Sequence, residues 1–217
     1  MGDGFASFVP EAQDYCQRLS ENMNRAWFLE HKAEYEAKLK RPAELLLEAL
    51  APKVGALAGG PVKVKLFRIN RDVRFSKDKT PYKDYLHMLW YAPSDAPCPP
   101  GWFFGIEKDR VRVGAGFMSF DGAALTRYRE AVAGPDGEAI AEAVQGQLAD
   151  GATMREAALK RVPAPYGPDH PRGELLKRKG LAFWRDLAPE GDLGAAILSE
   201  FDRFQPGVMP IHAALNS

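Results

Sequence analysis

Cysteine is nearly missing from this chain: Cys16 and Cys98 are the two in 217 residues. That excludes a disulfide framework and a cysteine-built zinc site, and it predicts a reducing, cytoplasmic setting. Net charge is missing as well. Lys+Arg and Asp+Glu number 29 each, which excludes coating nucleic acid by bulk charge but leaves room for a local basic patch. No apolar run reaches transmembrane length. The opening MGDGFASF lacks a charged stretch followed by an apolar one, and Ala6 stands where N-myristoylation prefers Ser or Thr. No membrane association is expected. Of the four histidines, His31, His87, His170 and His212, none has HxH or HExxH spacing, so no metal is assigned. GxxxxGK[ST], GxGxxG and GxSxG are all absent, and no cofactor is expected.

What is present is globular. Hydrophobic residues make up 46% and charged residues 27%, and the length suffices for a real core. Residues 8–58 read as helices. Ala12, Tyr15, Cys16 and Leu19 share one face. A second helix from Asn22 or Asn24 carries Phe28, Lys32, Tyr35 and Leu39. Pro42 opens a third that Pro52 divides, and Ala58-Gly59-Gly60-Pro61 stops it. Residues 62–118 read as sheet. Val62–Phe67 and Tyr85–Tyr91 are strands, proline-rich Ala92–Gly101 is a loop, and Trp102–Glu107 with Arg110–Phe117 form a hairpin turning at Lys108-Asp109. Residues 121–215 are mainly helical, with Leu181–Leu187 open between strand and helix. The prediction is one domain over 1–217 of α+β class: a small, mostly antiparallel sheet of about four or more strands, flanked by N-terminal and C-terminal helices.

One segment breaks the charge balance. In residues 63–83, Lys63, Lys65, Arg68, Arg71, Arg74, Lys77, Lys79 and Lys83 face only Asp72 and Asp78. Arginine forks and lysine ammonium groups suit phosphate and carboxylate. A strand-connecting segment is also where function tends to sit. The expected partner is an anionic small molecule held by Arg68, Arg71, Arg74, Lys77, Lys79 and Lys83. Asp72 and Asp78 are the nearest carboxylates for acid–base work if the protein is an enzyme, a point the residues leave open. Lys160, Arg161 and Lys177, from a second basic stretch, are candidates to close the site. Two other readings stay open. The segment is a docking surface for an acidic protein, or an internal network with pairs such as Arg71–Asp72 or Arg74–Asp78.

The wording of this segment, Phe67-Arg68-Ile69-Asn70-Arg71-Asp72-Val73-Arg74-Phe75-Ser76-Lys77-Asp78-Lys79-Thr80-Pro81-Tyr82-Lys83, resembles the signature of the DUF2461 family of uncharacterised proteins. Asn24-Arg25-Ala26-Trp27-Phe28, Gly114-Ala115-Gly116-Phe117, Leu159-Lys160-Arg161-Val162-Pro163, Asp169-His170-Pro171 and Leu175-Leu176-Lys177 are similar to its other motifs, in order. Ala115 and Pro165 depart from it at positions where glycine is expected. The resemblance implies a cytoplasmic protein of bacterial or fungal type, and it brings no activity or site residues with it.

The remaining candidates are weighed against plainer roles. Asp169-His170-Pro171 reads as a turn with Asp169 on backbone rather than an oriented base. His87 reads as a partly buried, hydrogen-bonded residue. Ser76 lacks an oriented base and an oxyanion hole. Thr80-Pro81-Tyr82 reads as a turn. Gly105, Gly114 and Gly116 read as letting a helix, rather than a ligand, approach the sheet closely. Trp27, Trp90, Trp102, Trp184, Tyr82, Tyr85 and Tyr166 read as core, so nucleic acid is the lesser expectation as a partner. Oligomeric state is not legible.

Overall fold

The computed structural model describes residues 5–92, 99–188 and 190–216. Cys98 and residues 93–98 of the predicted loop lie outside the described residues. The fold is α+β. Strands β1 (Lys63–Leu66), β2 (Tyr85–Tyr91), β3 (Gly101–Glu107), β4 (Val111–Phe117), β5 (Thr153–Met154) and β6 (Leu181–Asp186) form one antiparallel sheet in the order β1-β2-β3-β4-β6-β5. Leu181–Leu187 thus resolves as a strand. The chain divides into two compact units. The first comprises Met1–Trp90, Phe103–Val113 and Asp186–Ser199; the second comprises Tyr91–Trp102, Gly114–Arg185 and Glu200–Ser217.

In the first unit, α1 (Phe8–Glu21) buries Phe8, Val9, Ala12, Tyr15, Cys16 and Leu19, the face that the spacing predicts. Asn24 caps α2 (Arg25–Glu30), its side chain accepting from Trp27 N at 3.0 Å. The predicted single helix through Leu39 is broken at His31. The His31 ring stacks on Trp27 with centroids 4.0 Å apart, and its Nδ1 lies 2.9 Å from the Trp27 carbonyl. The chain then continues through a short α3 (Lys32–Glu34) and a π-helical stretch, Tyr35–Lys40. Helix α4 (Arg41–Ala58) carries Pro52 inside it without dividing. It ends at Gly59, whose φ of 74° is left-handed backbone that glycine adopts without strain.

Alternation along β2 separates two faces. Leu86, Met88 and Trp90 are buried, and Trp90 Nε1 donates to Leu47 O of α4 at 2.9 Å, which places the helices on that side. Tyr85, His87 and Leu89 point the other way and stay half-exposed. The β3–β4 hairpin turns where predicted, with Glu107 N donating to Arg110 O at 2.8 Å.

The second unit holds α5 (Gly122–Ala133), α6 (Gly137–Ala149) and the short α7 (Gly173–Leu176). Helix α8 (Leu193–Asn216) buries Phe201, Phe204, Val208, Ile211 and Leu215 in this unit, and Pro206 and Pro210 lie within it. The predicted role of the hairpin glycines is corrected here. A Cβ on Gly114 would come within 2.6 Å of the Trp184 ring and 2.7 Å of the Phe183 carbonyl, and one on Gly116 would strike the Leu181 carbonyl. The close neighbour is strand β6, not a helix.

Candidate functional site

The basic segment folds back on itself as a ribbon continuing from β1 and β2. Phe67 N donates to His87 O (3.0 Å), Lys83 N to Ile69 O (2.8 Å) and Arg71 N to Pro81 O (2.9 Å), with Asn70 opposite Tyr82. The predicted turn at Thr80-Pro81-Tyr82 is therefore extended backbone. Proline has no N–H to give, and the ladder here uses its carbonyl. Ile69 and Tyr82 are buried at the root of the ribbon, and Tyr82 stacks on Phe28 at 4.3 Å.

The turning lies earlier, at residues 72–80, and its own side chains hold it. Asp78 Oδ1 accepts from Thr80 N and from Thr80 Oγ1, both at 2.9 Å. Arg71 pairs with Asp78 and donates to Thr80 Oγ1. Arg74 grips Asp72 with a fork, Nε–Oδ1 at 2.9 Å and Nη2–Oδ2 at 2.7 Å. Lys79 Nζ donates to Val73 O at 2.9 Å. Internal Arg–Asp pairs exist, with the partners exchanged from the expected ones: Arg74 reaches back two residues and Arg71 crosses the ribbon.

These contacts set the acids. The Thr80 backbone N–H, followed by the Arg71 guanidinium, pulls the Asp78 carboxyl down to about 2. Arg74 likewise lowers Asp72. Both carboxylates are ionised at neutral pH and already occupied by donors, which suits holding a turn better than moving a proton. Ser76 N meets Val73 O at 3.4 Å as part of the same turn.

At the root of the ribbon the cations are not tied up in ion pairs, although Arg68 acts on Asp72 through space. Among the described residues, Lys65, Arg68 and Lys83 have no carboxylate partner. Lys83 Nζ donates to Arg68 O at 2.9 Å. Lys65 Nζ stands 4.8 Å from the centroid of Phe67. Lys83 Nζ stands 5.8 Å from the same ring and 6.0 Å from that of Tyr85. Burial lowers the pKa of Lys83, and Arg68, Lys65 and Arg71 lower it further by like charge. An adjoining cleft of about 570 Å³ is lined by Arg71, Lys83, Tyr85 and Asp84, among others. At the tip, Lys77 is exposed with no partner among the described residues, and Phe75 is 96% exposed beneath the Arg74 guanidinium.

The second basic stretch belongs to the second unit, where much of it is structural. Lys177 pairs with Glu174, while Lys160 and Arg161 are exposed and have no ion-pair partner among the described residues. Arg172 closes the C-terminus of α5, with Nε donating to Val132 O (2.6 Å) and Nη2 to Ala133 O (3.1 Å) and Gly134 O (3.3 Å). Arg185 is buried against Gln147 (3.1 Å) and Asp150 (2.7 Å), over the ring of Phe204. His170 sits in a turn, as predicted, but the cap is its own Nδ1, which accepts from Arg172 N at 3.1 Å, in place of Asp169. Sequence reading missed the capping and burial of Arg172 and Arg185. Their signal, arginine just before or after an apolar run, is shared by many surface arginines.

The His87 ring lies over Gly105, where a Cβ would come within 2.8 Å of it, and 4.2 Å from the ring of Tyr85. Cys16 is buried, and burial with Asp84 nearby pushes its thiol up to about 12, so it is no nucleophile at neutral pH. Among the described residues no three histidine, cysteine or acidic side chains gather as a metal site, and no helix is long and apolar enough to cross a membrane.

The chain belongs to the DUF2461 family, described as conserved hypothetical protein, whose model matches residues 11–212. No curated protein and no solved structure matches it.

Proposed function

We propose that this DUF2461 protein binds a ligand bearing phosphate or carboxylate, and that the site is the root of the basic ribbon. The observation that carries this reading is the cluster of Lys65, Arg68 and Lys83. Lys65 and Lys83 stand over the Phe67 and Tyr85 rings, Lys83 reaches the Arg68 carbonyl, and none of the three cations forms an ion pair among the described residues. Holding like charges together costs free energy unless a counter-charge arrives. A bound anion restores that balance. Arg71, Arg74, Lys79, Asp72 and Asp78 then act as the frame of the tip, and Arg71 also borders the cleft beside Lys83.

The test is thermal shift against inorganic phosphate, polyphosphate, sugar phosphates, nucleotides and dicarboxylates at low salt. A ligand at a hundred times its Kd adds about 2.7 kcal/mol, or about 5–10 °C for a chain of this size. The gain is expected to vanish in Arg68→Gln/Lys83→Gln and to persist in Arg74→Gln. A panel in which no anion raises the melting temperature overturns the reading.

A further inference from the structure

Resting on that anion site, we infer that its ligand is single-stranded nucleic acid, with unpaired bases stacking on Phe67 and Tyr85 while Lys65, Arg68 and Lys83 take the phosphates.

The geometry behind this is the face of β1 and β2 that turns away from α4. Its side chains alternate outward as Lys63, Lys65 and Phe67 on one strand and Tyr85, His87 and Leu89 on the next. Backbone pairing of Phe67 with His87 brings the two rows side by side. Phe67, Tyr85 and His87 are all half-exposed, unlike Trp90 and Trp102, which are buried. Gly105 opens a hollow on β3 into which the His87 ring settles, close against Tyr85. The result is an aromatic patch on β2 and the residue that follows β1.

Cations border the patch. Lys65 and Lys83 both stand within 6 Å of the Phe67 centroid, where long, flexible stems let the ammonium groups swing from ring to phosphate. Of the acids nearby, Glu107 is held by Arg110 at 2.7 Å, Asp78 by Arg71 and Asp72 by Arg74, while Asp84 lines the cleft beside Lys83. An anion without a base would use the cations and leave the rings idle. A duplex hides its bases and offers no ring face. Unpaired nucleotides use both, since every base has a face to stack and every linkage a charge. Lys63, exposed on the same face of β1, extends the path for more than one phosphate.

The experiment compares ligands of equal charge, so that it does not depend on any variant folding. Fluorescence anisotropy would be read with a labelled octathymidylate, and competition with an abasic octamer, a duplex of the same length, polyphosphate and polyglutamate. The octathymidylate is expected to bind at least about tenfold tighter than the abasic octamer, the effect of one or two stacked bases. Log affinity is expected to fall against log salt with a slope of about −2, for three phosphates neutralised. Tyr85→Leu and Phe67→Leu, each with its melting temperature measured, should bring the two octamers within about twofold of each other while leaving abasic binding in place. Equal binding of the abasic octamer or polyphosphate overturns the base-stacking inference and leaves the anion site standing. Preference for polyglutamate overturns it in favour of an acidic protein partner. No binding by any of these polyanions, nor by the small anions of the thermal-shift panel, overturns both.

Discussion

Replacing Arg172 by methionine should destabilise the protein by about 2–3 kcal/mol, although no ligand is involved. Arg172 has the charge and sequence setting of a binding residue, yet its guanidinium spans three carbonyl groups at the end of α5, at 2.6, 3.1 and 3.3 Å. Those carbonyls have no partner within the helix. A hydrogen bond to a charged donor contributes about 1.5–3 kcal/mol. The two shorter bonds dominate, and the sum is discounted because the side chain remains 19% exposed, so water replaces part of what is lost. The guanidinium also fills the space beside Gly137, where a Cβ would collide with it. Urea unfolding followed by circular dichroism would measure the loss, and the melting temperature should fall by about 5–10 °C. Arg172→Lys should recover less than half, since an ammonium cannot span three carbonyls. Glu138→Gln should cost under about 0.5 kcal/mol, because that acid is 74% exposed and 3.5 Å away. A loss below about 0.5 kcal/mol for Arg172→Met, or an equal loss for Glu138→Gln, would refute the capping account.

Gly114→Ala should cost about 2–3 kcal/mol in denaturant unfolding, because its Cβ meets the Phe183 backbone at 2.7 Å as well as the Trp184 ring; Gly105→Ala should cost about 1 kcal/mol or less, because the half-exposed His87 ring is able to swing aside. The Asp78 carboxyl, held at about 2, contributes stability that is fully present above its unfolded value near 3.8 and lost as pH falls through 2. Asp78→Asn should therefore flatten the acid limb of stability between pH 4 and 2, and an unchanged limb in that variant would contradict the assignment. Native Cys16 should resist a thiol reagent at pH 8 and react only after unfolding, as stopped-flow labelling would show; rapid native labelling at Cys16 would contradict its burial.

Much of the fold was legible because its signals are local. The alternation of Tyr85–Tyr91 and the turn at Lys108-Asp109 mark strands by period and turn chemistry, and both stand where predicted. The break at His31 was not legible, since Phe28, Lys32, Tyr35 and Leu39 keep helical spacing while the His31 backbone, at φ −99° and ψ 11°, leaves the helical region between them. Thr80-Pro81-Tyr82 reads as a turn from composition, and only the cross-ribbon partners Asn70 and Arg71 make it extended. Local charge density found the basic segment but not the division of labour within it. Arg71 and Arg74 differ from Arg68 in closing a direct ion pair with an aspartate, which depends on how the ribbon folds. The aromatic face was hidden for a related reason. Trp90 and Tyr85 share one strand, and their opposite burial follows from which face α4 covers.

The most direct test of the anion site is isothermal titration of polyphosphate into the wild-type protein and into Arg68→Gln/Lys83→Gln at low salt. Saturable binding to the wild type is expected, weakened at least tenfold in the double variant while its melting temperature without ligand stays within a degree or two. Equal affinity in the two proteins, or no heat of binding in the wild type, would contradict it.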